Sequence, residues 1–332
     1  MTRPATALPM RTHPERFDPP GRVGSGLMTR AAWLLLALSG LSACASVHTH
    51  NDAFAQQRGY EVVAVPGLGH THTAYVKAAG EGGRWHVYLE GDGLPWIARF
   101  FINPDPTVRK PLLMRLMTSD RAPTLYLGRP CYGGGVEDAA CEPWLWTDGR
   151  HSAAVVASQI AALRWLGARH GVERIALIGH SGGGALAMLM AAELPEVEAV
   201  MTLAGNLNLA EWTGLHHYSP LTGSLDPAQQ PPLPARIVQH HYAGGADTNI
   251  PPPLTAPVVR RQACARWEVF DAVTHSGGWE TQWPVMLARL RAAHPSDCRA
   301  ARKAPEVAQN LLVTPGLWSY VRWRLSRRFQ RG

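Results

Sequence analysis

Short apolar runs alternate with longer segments of helical composition through most of the chain. Runs of about four to eight residues rich in Val, Ile, Leu and aromatic side chains predict buried strands, and longer runs rich in Ala, Leu and Met predict helices. The predicted strands are 60–64, 73–76, 85–89, 124–128, 175–179, 197–205, 235–242 and 265–274, and the predicted helices include 153–163 and 185–192. This alternation predicts an α/β fold with a mainly parallel sheet, helices on both faces and the first two short strands at an edge.

The strand predicted at 175–179 ends in a Gly-x-Ser-x-Gly pattern centred on Ser181 and leads directly into a predicted helix. A serine at such a junction projects from the C-terminal end of the strand. The strained turn and the close helix exclude bulk at Gly179 and Gly183. Ser181 is therefore the candidate nucleophile, and a glycine-rich helix start without chemistry is the alternative.

A serine hydroxyl needs a histidine to accept its proton and a carboxylate to orient that histidine. Both follow Ser181 along the chain. Asp247 lies in a Gly-rich turn after one predicted strand, and His275 directly follows the next. We expect His275 to be the general base and Asp247 the acid that orients it, with Asp271 as the alternative acid.

These three motifs, in this order, resemble the α/β-hydrolase family over roughly residues 60 to 295. The resemblance implies the α/β-hydrolase fold, a catalytic triad of Ser181, His275 and Asp247, and no cofactor. The family also carries peptidases, thioesterases and lyases, so the resemblance favours an ester substrate only by how often esterases occur in it.

The resemblance further implies an oxyanion hole built from two backbone N–H groups. Gly182 is expected to supply one, and Asp92, in the loop after the third strand, the other, with Gly93 as the alternative donor. Glu90 stands in this loop where histidine is common in the family. Because carboxylates would repel a developing oxyanion, we expect the side chains of Glu90 and Asp92 to point away and to fix the loop, with a direct catalytic role as the alternative.

Most of the 15 histidines are expected to have structural roles. His180 is expected to be structural or to line the substrate site, and the adjacent His240 and His241 are expected to pack on opposite faces of a strand. The sequence contains neither a His-Glu-x-x-His nor a Cys-x-x-Cys pattern, so we expect no metal site. Four further histidines are expected to be solvated or in loops: His48, His50, His70 and His72.

A Pro-rich segment at about 206–234 lies between two predicted strands. The resemblance places a lid at this point of the chain, and this segment is too short for a folded cap domain. We expect a short lid loop that lines an acyl or leaving-group pocket. The alternative is a surface crossover without substrate contact.

The N-terminal part of the chain has the features of an export signal. Residues 28–43 combine a basic start, a short apolar run and small residues before Cys44. The Leu-Ser-Ala-Cys pattern ending at Cys44 resembles the lipobox of bacterial lipoproteins. It implies a lipidated Cys44 and, without an acidic residue directly after it, an outer-membrane location. An ordinary cleaved signal peptide with a chance cysteine and an uncleaved membrane-anchoring helix are the alternatives. Residues 1–27 are expected to be a disordered extension or to precede the true start, and 44–59 to form a linker.

An exported chain favours disulfides over free thiols. If Cys44 carries lipid, four cysteines remain, and they allow three pairings. We expect Cys131 to pair with Cys141 and Cys264 with Cys298, because each pair spans a single loop or a strand–helix unit.

The net charge of +7 is unevenly distributed. The part from Cys44 to Cys298 contains 19 Lys and Arg against 22 Asp and Glu, whereas residues 299–332 contain eight basic residues and one acidic residue. This basic amphipathic tail also carries Trp and Tyr, which suits a membrane surface, although a frayed or docked terminal helix is the alternative. We do not expect nucleic-acid binding from an exported chain.

The sequence thus predicts a lipid-anchored serine hydrolase of the bacterial cell envelope, with a hydrolase domain at 60–298. The expected substrate is a small-molecule or lipid ester, and membrane tethering favours a lipid or lysolipid ester. The alternatives are a serine peptidase or thioesterase on the same fold, and a non-catalytic envelope binding or scaffold lipoprotein.

Overall fold

The computed structural model describes residues 47–134, 138–294, 296 and 298. Its helices and strands follow one another along the chain in an order that alternates between the two types after β6. They are α1 (Val47–Gln56), β1 (Glu61–Pro66), β2 (Thr71–Lys77), β3 (Arg84–Leu89), β4 (Trp96–Ile97), β5 (Phe101–Ile102), α2 (Leu112–Met117), β6 (Thr124–Leu127), α3 (Ala153–His170), β7 (Arg174–His180), α4 (Gly182–Glu193), β8 (Val197–Leu203), α5 (Leu209–His216), β9 (Val238–Gly244), α6 (Pro252–Arg260), β10 (Ala265–Phe270) and α7 (Trp279–Ala292).

Eight strands form one sheet in the order β1-β2-β6-β3-β7-β8-β9-β10. The strands from β6 to β10 in this order are parallel, whereas β2 is antiparallel to both β1 and β6. The predicted mainly parallel sheet is therefore confirmed. Of the two strands predicted at an edge, only β1 is an edge strand, because β2 has a hydrogen-bonded neighbour on each side.

Alternate residues of the central strand β7 face two separate hydrophobic cores. Ile175 and Leu177 pack in the core formed with α3, α4 and α6, whereas Ala176 and Ile178 pack in the core formed with α1, α2 and α7. Because both faces of the sheet are buried, the strand has a continuous apolar sequence instead of an alternating one. Helices thus cover both faces, as predicted.

The structure differs from the sequence prediction in several segments. Residues 47–56, within the predicted linker at 44–59, form the helix α1, whose Asn51 and Ala55 are buried. The strand predicted at 265–274 ends at Phe270, and a turn follows it. The Pro-rich segment 206–234 contains the helix α5, capped by the Asn208 side chain, which accepts a hydrogen bond from the Glu211 N–H. The small hairpin of β4 and β5 is an additional element. Its strands are too short to give a periodic pattern.

Two disulfides close loops at different places in the fold. Cys131 is joined to Cys141, with the two Cα atoms 5.6 Å apart, and Cys264 to Cys298, with a Cα–Cα distance of 5.2 Å. This is the pairing expected from the sequence. Cys264 directly precedes β10, and Cys298 follows α7.

Several predictions concern residues outside the described part of the chain. These are the extension at 1–27, the signal segment at 28–43, the lipidation of Cys44 and the basic tail at 299–332. Within the described ranges, no helix combines the length and the apolar composition needed to cross a bilayer.

Candidate active site

Ser181 occupies a strained turn between β7 and α4. Its backbone has φ 54° and ψ −123°, a combination that costs roughly 1–3 kcal/mol for a non-glycine residue and persists only where the surroundings hold it. The Ser181 N–H donates to the carbonyl of Leu203 at 3.0 Å, and the Ser181 carbonyl accepts from the Asn206 N–H at 2.9 Å. The end of β8 and the loop after it therefore fix the turn.

The glycines that flank Ser181 are required by close backbone contacts. A Cβ atom on Gly183 would lie 1.9 Å from the carbonyl oxygen of Leu89, and one on Gly179 would lie 2.3 Å from the carbonyl oxygen of Gly183. Neither distance is compatible with a side chain. The small residues of the Gly-x-Ser-x-Gly pattern thus allow α4 to pack directly against the ends of β3 and β7.

The structure brings the side chains of Ser181, His275 and Asp247 together. His275 Nε2 lies 3.1 Å from Ser181 Oγ, and His275 Nδ1 lies 2.9 Å from Asp247 Oδ2. Ser181 follows β7, Asp247 lies in the turn after β9, and His275 lies in the loop after β10. All three strands are parallel, so their C-terminal ends meet at one edge of the sheet.

Asp247 is held in a form that suits it to orient an imidazole. Its side chain is fully buried, and Oδ1 accepts hydrogen bonds from the N–H groups of Asn249 and Ile250 at 2.8 and 2.9 Å. Burial alone would raise the pKa of Asp247, but the hydrogen bond from His275, together with the two N–H groups, lowers it. An ionised Asp247 accepts from Nδ1–H and leaves the Nε2 lone pair facing Ser181.

Asp271, the alternative acid, has a different environment. It lies in the turn just after β10 and is exposed to solvent. The Nδ1 atom of His275 is engaged by Asp247. The geometry therefore favours Asp247 as the partner of His275.

The loop expected to complete an oxyanion hole lies beside the serine. A Cβ on Gly91 would be 3.2 Å from Ser181 Cβ, and the Asp92 carboxylate lies against the α-carbon of Gly182. Gly182 is the first residue of α4, so its N–H has no acceptor within the helix. Gly93 packs against the carbonyl of Pro106 instead. The roles of the Gly182 and Asp92 N–H groups as donors to an oxyanion stay predictions.

The Asp92 carboxylate lies beside Gly182, and basic groups surround it. Its oxygens lie 2.6 Å from Arg129 Nη2, 3.3 Å from Arg150 Nη1 and 3.3 Å from His151 Nε2. Burial opposes ionisation, but these three residues together hold the pKa of Asp92 well below its usual value. His151 Nε2 also lies 3.2 Å from the carbonyl of Gly182. The ionised carboxylate thus has its charge compensated by these basic groups, and it fixes the loop against α4.

Glu90 fixes the other side of the loop. One of its oxygens accepts from the N–H of Leu113 in α2 at 2.8 Å, and the other lies 3.4 Å from His180 Nδ1. His180 Nε2 is 2.9 Å from the carbonyl oxygen of His275. Burial alone would lower the pKa of His180, but Glu90 and this carbonyl raise it. His180 thus lies between Glu90 and the backbone of His275 and connects the two.

A sequence model of the family described as having the alpha/beta hydrolase fold matches residues 118–236, which include Ser181 and the strands on either side of it. The chain has the α/β-hydrolase fold. No curated protein matches the sequence significantly.

Solved structures with the same fold share little sequence with this α/β-hydrolase-fold chain. An esterase of Pyrococcus furiosus superposes with a TM-score of 0.51 at 13% identity, covering 70% of this chain and 92% of its own. A membrane phospholipase A described as a bacterial virulence factor gives 0.52 at 15%, covering 80% and 99%. A proline iminopeptidase-related protein of Thermus thermophilus gives 0.51 at 14%, covering 71% and 99%. At these identities, the likeness establishes the fold alone.

A large open cavity of about 1460 Å³ reaches Ser181 and His275 in this hydrolase fold. Trp96, Phe100 and Trp212 contribute aromatic surface to its wall. Basic side chains, among them Arg99, Arg109 and Lys110, also line it. The cavity combines the features of a site for an amphiphilic molecule, with an apolar wall and cationic groups.

Part of the 206–234 segment lines this cavity. Trp212 in α5 and the following residues 217–221 face it. Trp212 Nε1 donates to Asn249 Oδ1 at 3.2 Å, which connects α5 to the turn that carries Asp247. The geometry therefore favours a segment that contacts the site over a surface crossover without substrate contact.

A second Ser–His pair in the hydrolase fold is inaccessible. His72 Nε2 lies 2.8 Å from Ser158 Oγ, and His72 Nδ1 is 2.9 Å from the carbonyl of Gly128. His72 and Ser158 are both 0% exposed, and burial lowers the pKa of His72 to about 4. Without access for a substrate, this pair joins α3 to the sheet. The expectation that His72 is solvated or lies in a loop was wrong, because it is a buried residue of β2.

Other histidines are in structural positions. His240 and His241 are buried in β9, where His241 Nδ1 lies 2.8 Å from Thr202 Oγ1.

His70, Cys131 and Cys141 place potential metal ligands within 4.8 Å of one another. The two sulfurs are joined in a disulfide, so they are not the thiolates that a metal ion requires.

Proposed function

We propose that the protein is a serine hydrolase that cleaves carboxylic esters through an acyl-enzyme on Ser181. The observation that carries this proposal is the continuous hydrogen-bonded arrangement of Ser181, His275 and Asp247. Ser181 and His275 line the large cavity, and Asp247 is buried beside His275. A buried, ionised carboxylate, an imidazole and a serine in a strained turn are the groups that acyl transfer needs.

The arrangement supports a two-step reaction. His275 Nε2 accepts the hydroxyl proton while Ser181 Oγ attacks the carbonyl carbon, and Asp247 stabilises the imidazolium that forms. The N–H groups of Gly182 and Asp92 would hold the oxyanion of the tetrahedral intermediate. His275 then gives its proton to the leaving alcohol. A water molecule, deprotonated by His275, attacks the acyl-enzyme and releases the acid and Ser181.

The cavity favours an ester with a large apolar part. Its volume exceeds the roughly 300–1,000 Å³ typical of sites for small ligands, and aromatic side chains, including Trp96 and Trp212, contribute to its wall. We therefore propose a lipid or lysolipid ester as substrate. Cys44 is proposed to carry a lipid that anchors the enzyme in the bacterial envelope, at the outer membrane.

Covalent labelling with a fluorophosphonate tests the chemistry. The wild type should be labelled, whereas Ser181→Ala and His275→Ala should not be labelled. Ser276→Ala is the matched control, because this exposed serine also lines the cavity and should be dispensable. If the wild type stays unlabelled under conditions where a known serine hydrolase reacts, a binding or scaffold role is favoured instead.

Two further measurements define the substrate and the anchor. Hydrolysis rates on esters of graded chain length, lysophospholipids, thioesters and aminoacyl amides distinguish an esterase from a thioesterase or peptidase. Metabolic labelling with a fatty-acid analogue should tag the wild type but not Cys44→Ala. Equal tagging of both proteins would contradict the lipid anchor and leave the hydrolase proposal untouched.

A further inference from the structure

The hairpin of β4 and β5 exposes an unusual amount of apolar surface. Phe100 is 81% exposed and Phe101 is 69% exposed. Single apolar side chains on a surface need no explanation, but a contiguous group of large ones indicates an interaction site. The exposed apolar side chains of this segment are Leu94, Trp96, Ile97, Phe100, Phe101 and Ile102.

Strand pairing and hydrogen bonds at its base fix the hairpin in place. Trp96 pairs with Ile102 and Ile97 with Phe101. At its base, the buried Asn103 donates from its N–H to the carbonyl of Pro95 at 2.9 Å and from Nδ2 to the carbonyl of Leu94 at 2.8 Å. The Asn103 carbonyl in turn accepts from Trp146 Nε1 at 2.9 Å. These bonds hold the apolar side chains out in solvent on a fixed support.

The tip of the hairpin adds backbone strain. Ala98 and Arg99 have φ values of 49° and 67°, a region that side-chain-bearing residues seldom occupy. Strain of this kind is concentrated at functional segments, where the rest of the fold maintains it.

The hairpin stands at the mouth of the cavity and is accompanied by cations. Trp96, Arg99 and Phe100 line the same cavity as Ser181. Arg99 at the tip, and Arg109 and Lys110 on the same cavity wall, are exposed. Aromatic side chains together with Lys and Arg match the interfacial layer of a bilayer that contains anionic headgroups.

The N-terminal helix connects this face to the proposed anchor. His50, Asn51 and Phe54 of α1 line the same cavity. Cys44 precedes Val47, the first residue of α1, by only three positions in the sequence. The lipid proposed above would therefore be attached close in sequence to a helix that contributes to the cavity wall.

We propose that the β4–β5 hairpin inserts its apolar side chains into the surface of an anionic phospholipid bilayer, so that the cavity opens towards the lipid. This inference deepens the proposed function, since it names the surface from which an ester would enter, but the docking itself requires no hydrolysis.

A fluorescent probe on the hairpin tests the docking directly. The full chain carries Cys44→Ala, which leaves no cysteine outside the two disulfides, and Phe101→Cys labelled with an environment-sensitive fluorophore. The vesicles consist of ether-linked phosphatidylcholine with or without ether-linked phosphatidylglycerol, so that they offer no carboxylic ester. We expect emission to move to shorter wavelength, more strongly with the anionic lipid, and brominated lipid to quench it.

Trp165→Cys is the matched control for the probe. Trp165 is 38% exposed on the second half of α3 and is not part of the cavity wall. The emission of the fluorophore attached at position 165 should not change when vesicles are added. Unchanged emission at 101, or an equal change at both positions, would overturn the proposal. A change at 101 that depends on protein concentration and not on lipid would indicate a protein partner and would also overturn it.

A second measurement separates docking from catalysis. Ile97→Gln with Phe101→Gln changes two exposed residues that do not line the cavity. Vesicle partitioning and hydrolysis of a vesicle-embedded ester should fall by about tenfold or more, whereas hydrolysis of a water-soluble short-chain ester should be unchanged. Trp165→Gln with Val285→Gln should change neither rate. If the wild type hydrolyses no ester but the probe at 101 responds to anionic vesicles, the docking stands and the proposed function fails.

Discussion

The Asp92 carboxylate accepts a hydrogen bond from Arg129 Nη2 at 2.6 Å while it lies against the α-carbon of Gly182. A negative charge thus sits beside the residue expected to stabilise an oxyanion, and its compensation depends on Arg129. Arg150 and His151 contribute the remaining contacts. A substitution of Arg129 that leaves the Asp92 charge uncompensated therefore tests this pair.

Arg129→Met should lower both stability and turnover. Removing one partner of a buried pair leaves an uncompensated charge that costs about 3–5 kcal/mol, and we expect the lower end because Arg150 remains near Asp92. The charge beside Gly182 would also disfavour an oxyanion. Urea unfolding and the kcat on a soluble ester measure the two effects.

Two variants control for this result. Asp92→Asn combined with Arg129→Met should recover part of both losses, because the unpaired charge is gone. Arg174→Met removes an Arg from an exposed pair with Glu198 and should cost at most about 1 kcal/mol. If the double variant is no better than Arg129→Met, the charge is not the cause of the loss.

Asp247→Asn should reduce kcat by about 10³–10⁴-fold, because an amide no longer holds His275 in the tautomer that accepts a proton from Ser181. Asp271→Asn is the matched control, since Asp271 is exposed in the turn before His275. Its kcat should stay within about twofold of the wild type, as for surface changes away from a site. A larger loss in Asp271→Asn than in Asp247→Asn would reverse the assignment of the acid.

The residues that could be predicted from sequence are those with a local pattern. Ser181 lies between an apolar run and a helix-forming run, and its flanking glycines are visible in the sequence. Asp247 and His275 each follow a predicted strand, and parallel strands bring such positions to one edge of a sheet. The disulfide pairing follows from short sequence separations.

The residues that support the site could not be predicted in this way. Arg129 and Arg150 are 37 and 58 residues from Asp92, and only the fold brings them to it. The signal was the presence of two carboxylates, at 90 and 92, in a loop expected near an oxyanion, since buried carboxylates require cationic partners. The sequence cannot say which of its arginines supply them.

The β4–β5 hairpin was hidden for a different reason. Each strand has two residues, and its apolar side chains face solvent. A sequence pattern predicts that such residues lie in a hydrophobic core, because Trp, Phe and Ile are usually buried. The exposed patch therefore becomes visible only in the folded structure.

Removing the two disulfides should have distinct effects. Cys264→Ala with Cys298→Ala opens a 34-residue loop and should lower the free energy of unfolding by roughly 4 kcal/mol. The kcat on a soluble ester should be unchanged, because Cys264 lies at the N-terminal end of β10, whereas Ser181 lies at the C-terminal end of the parallel strand β7. Urea unfolding and ester hydrolysis at a temperature well below the transition separate the two properties.

Cys131→Ala with Cys141→Ala should affect kcat as well as stability. Cys131 lies two residues after Arg129, and the neighbouring Tyr132 donates from its hydroxyl to the Asp92 carbonyl at 2.8 Å. Loss of this disulfide loosens the support of the oxyanion loop. If both disulfide variants retain full kcat, the loop does not depend on Cys131.

Acid should destabilise the fold already between pH 6 and pH 4.5, before most carboxylates titrate. Burial lowers the pKa of His72 to about 4 and that of His241 to about 3, from 6.5. At a pH between the folded and the unfolded pKa of each histidine, the unfolded chain binds a proton at that residue and the folded chain does not. Stability therefore falls with falling pH by about 1.4 kcal/mol per pH unit for each residue. His180 does not add to this loss, because its pKa in the folded protein is raised and not lowered.

His72→Gln should reduce the slope of unfolding free energy against pH by about 1.4 kcal/mol per pH unit, whatever its effect on stability at pH 7. Ser158→Ala is the control, because it removes the hydroxyl that contacts His72 Nε2 but keeps the buried imidazole. Its slope should equal that of the wild type. Urea unfolding of the oxidised protein at several pH values gives these slopes. An unchanged slope in His72→Gln would mean that His72 does not take up a proton on unfolding, and the acid sensitivity would then have to come from other buried groups.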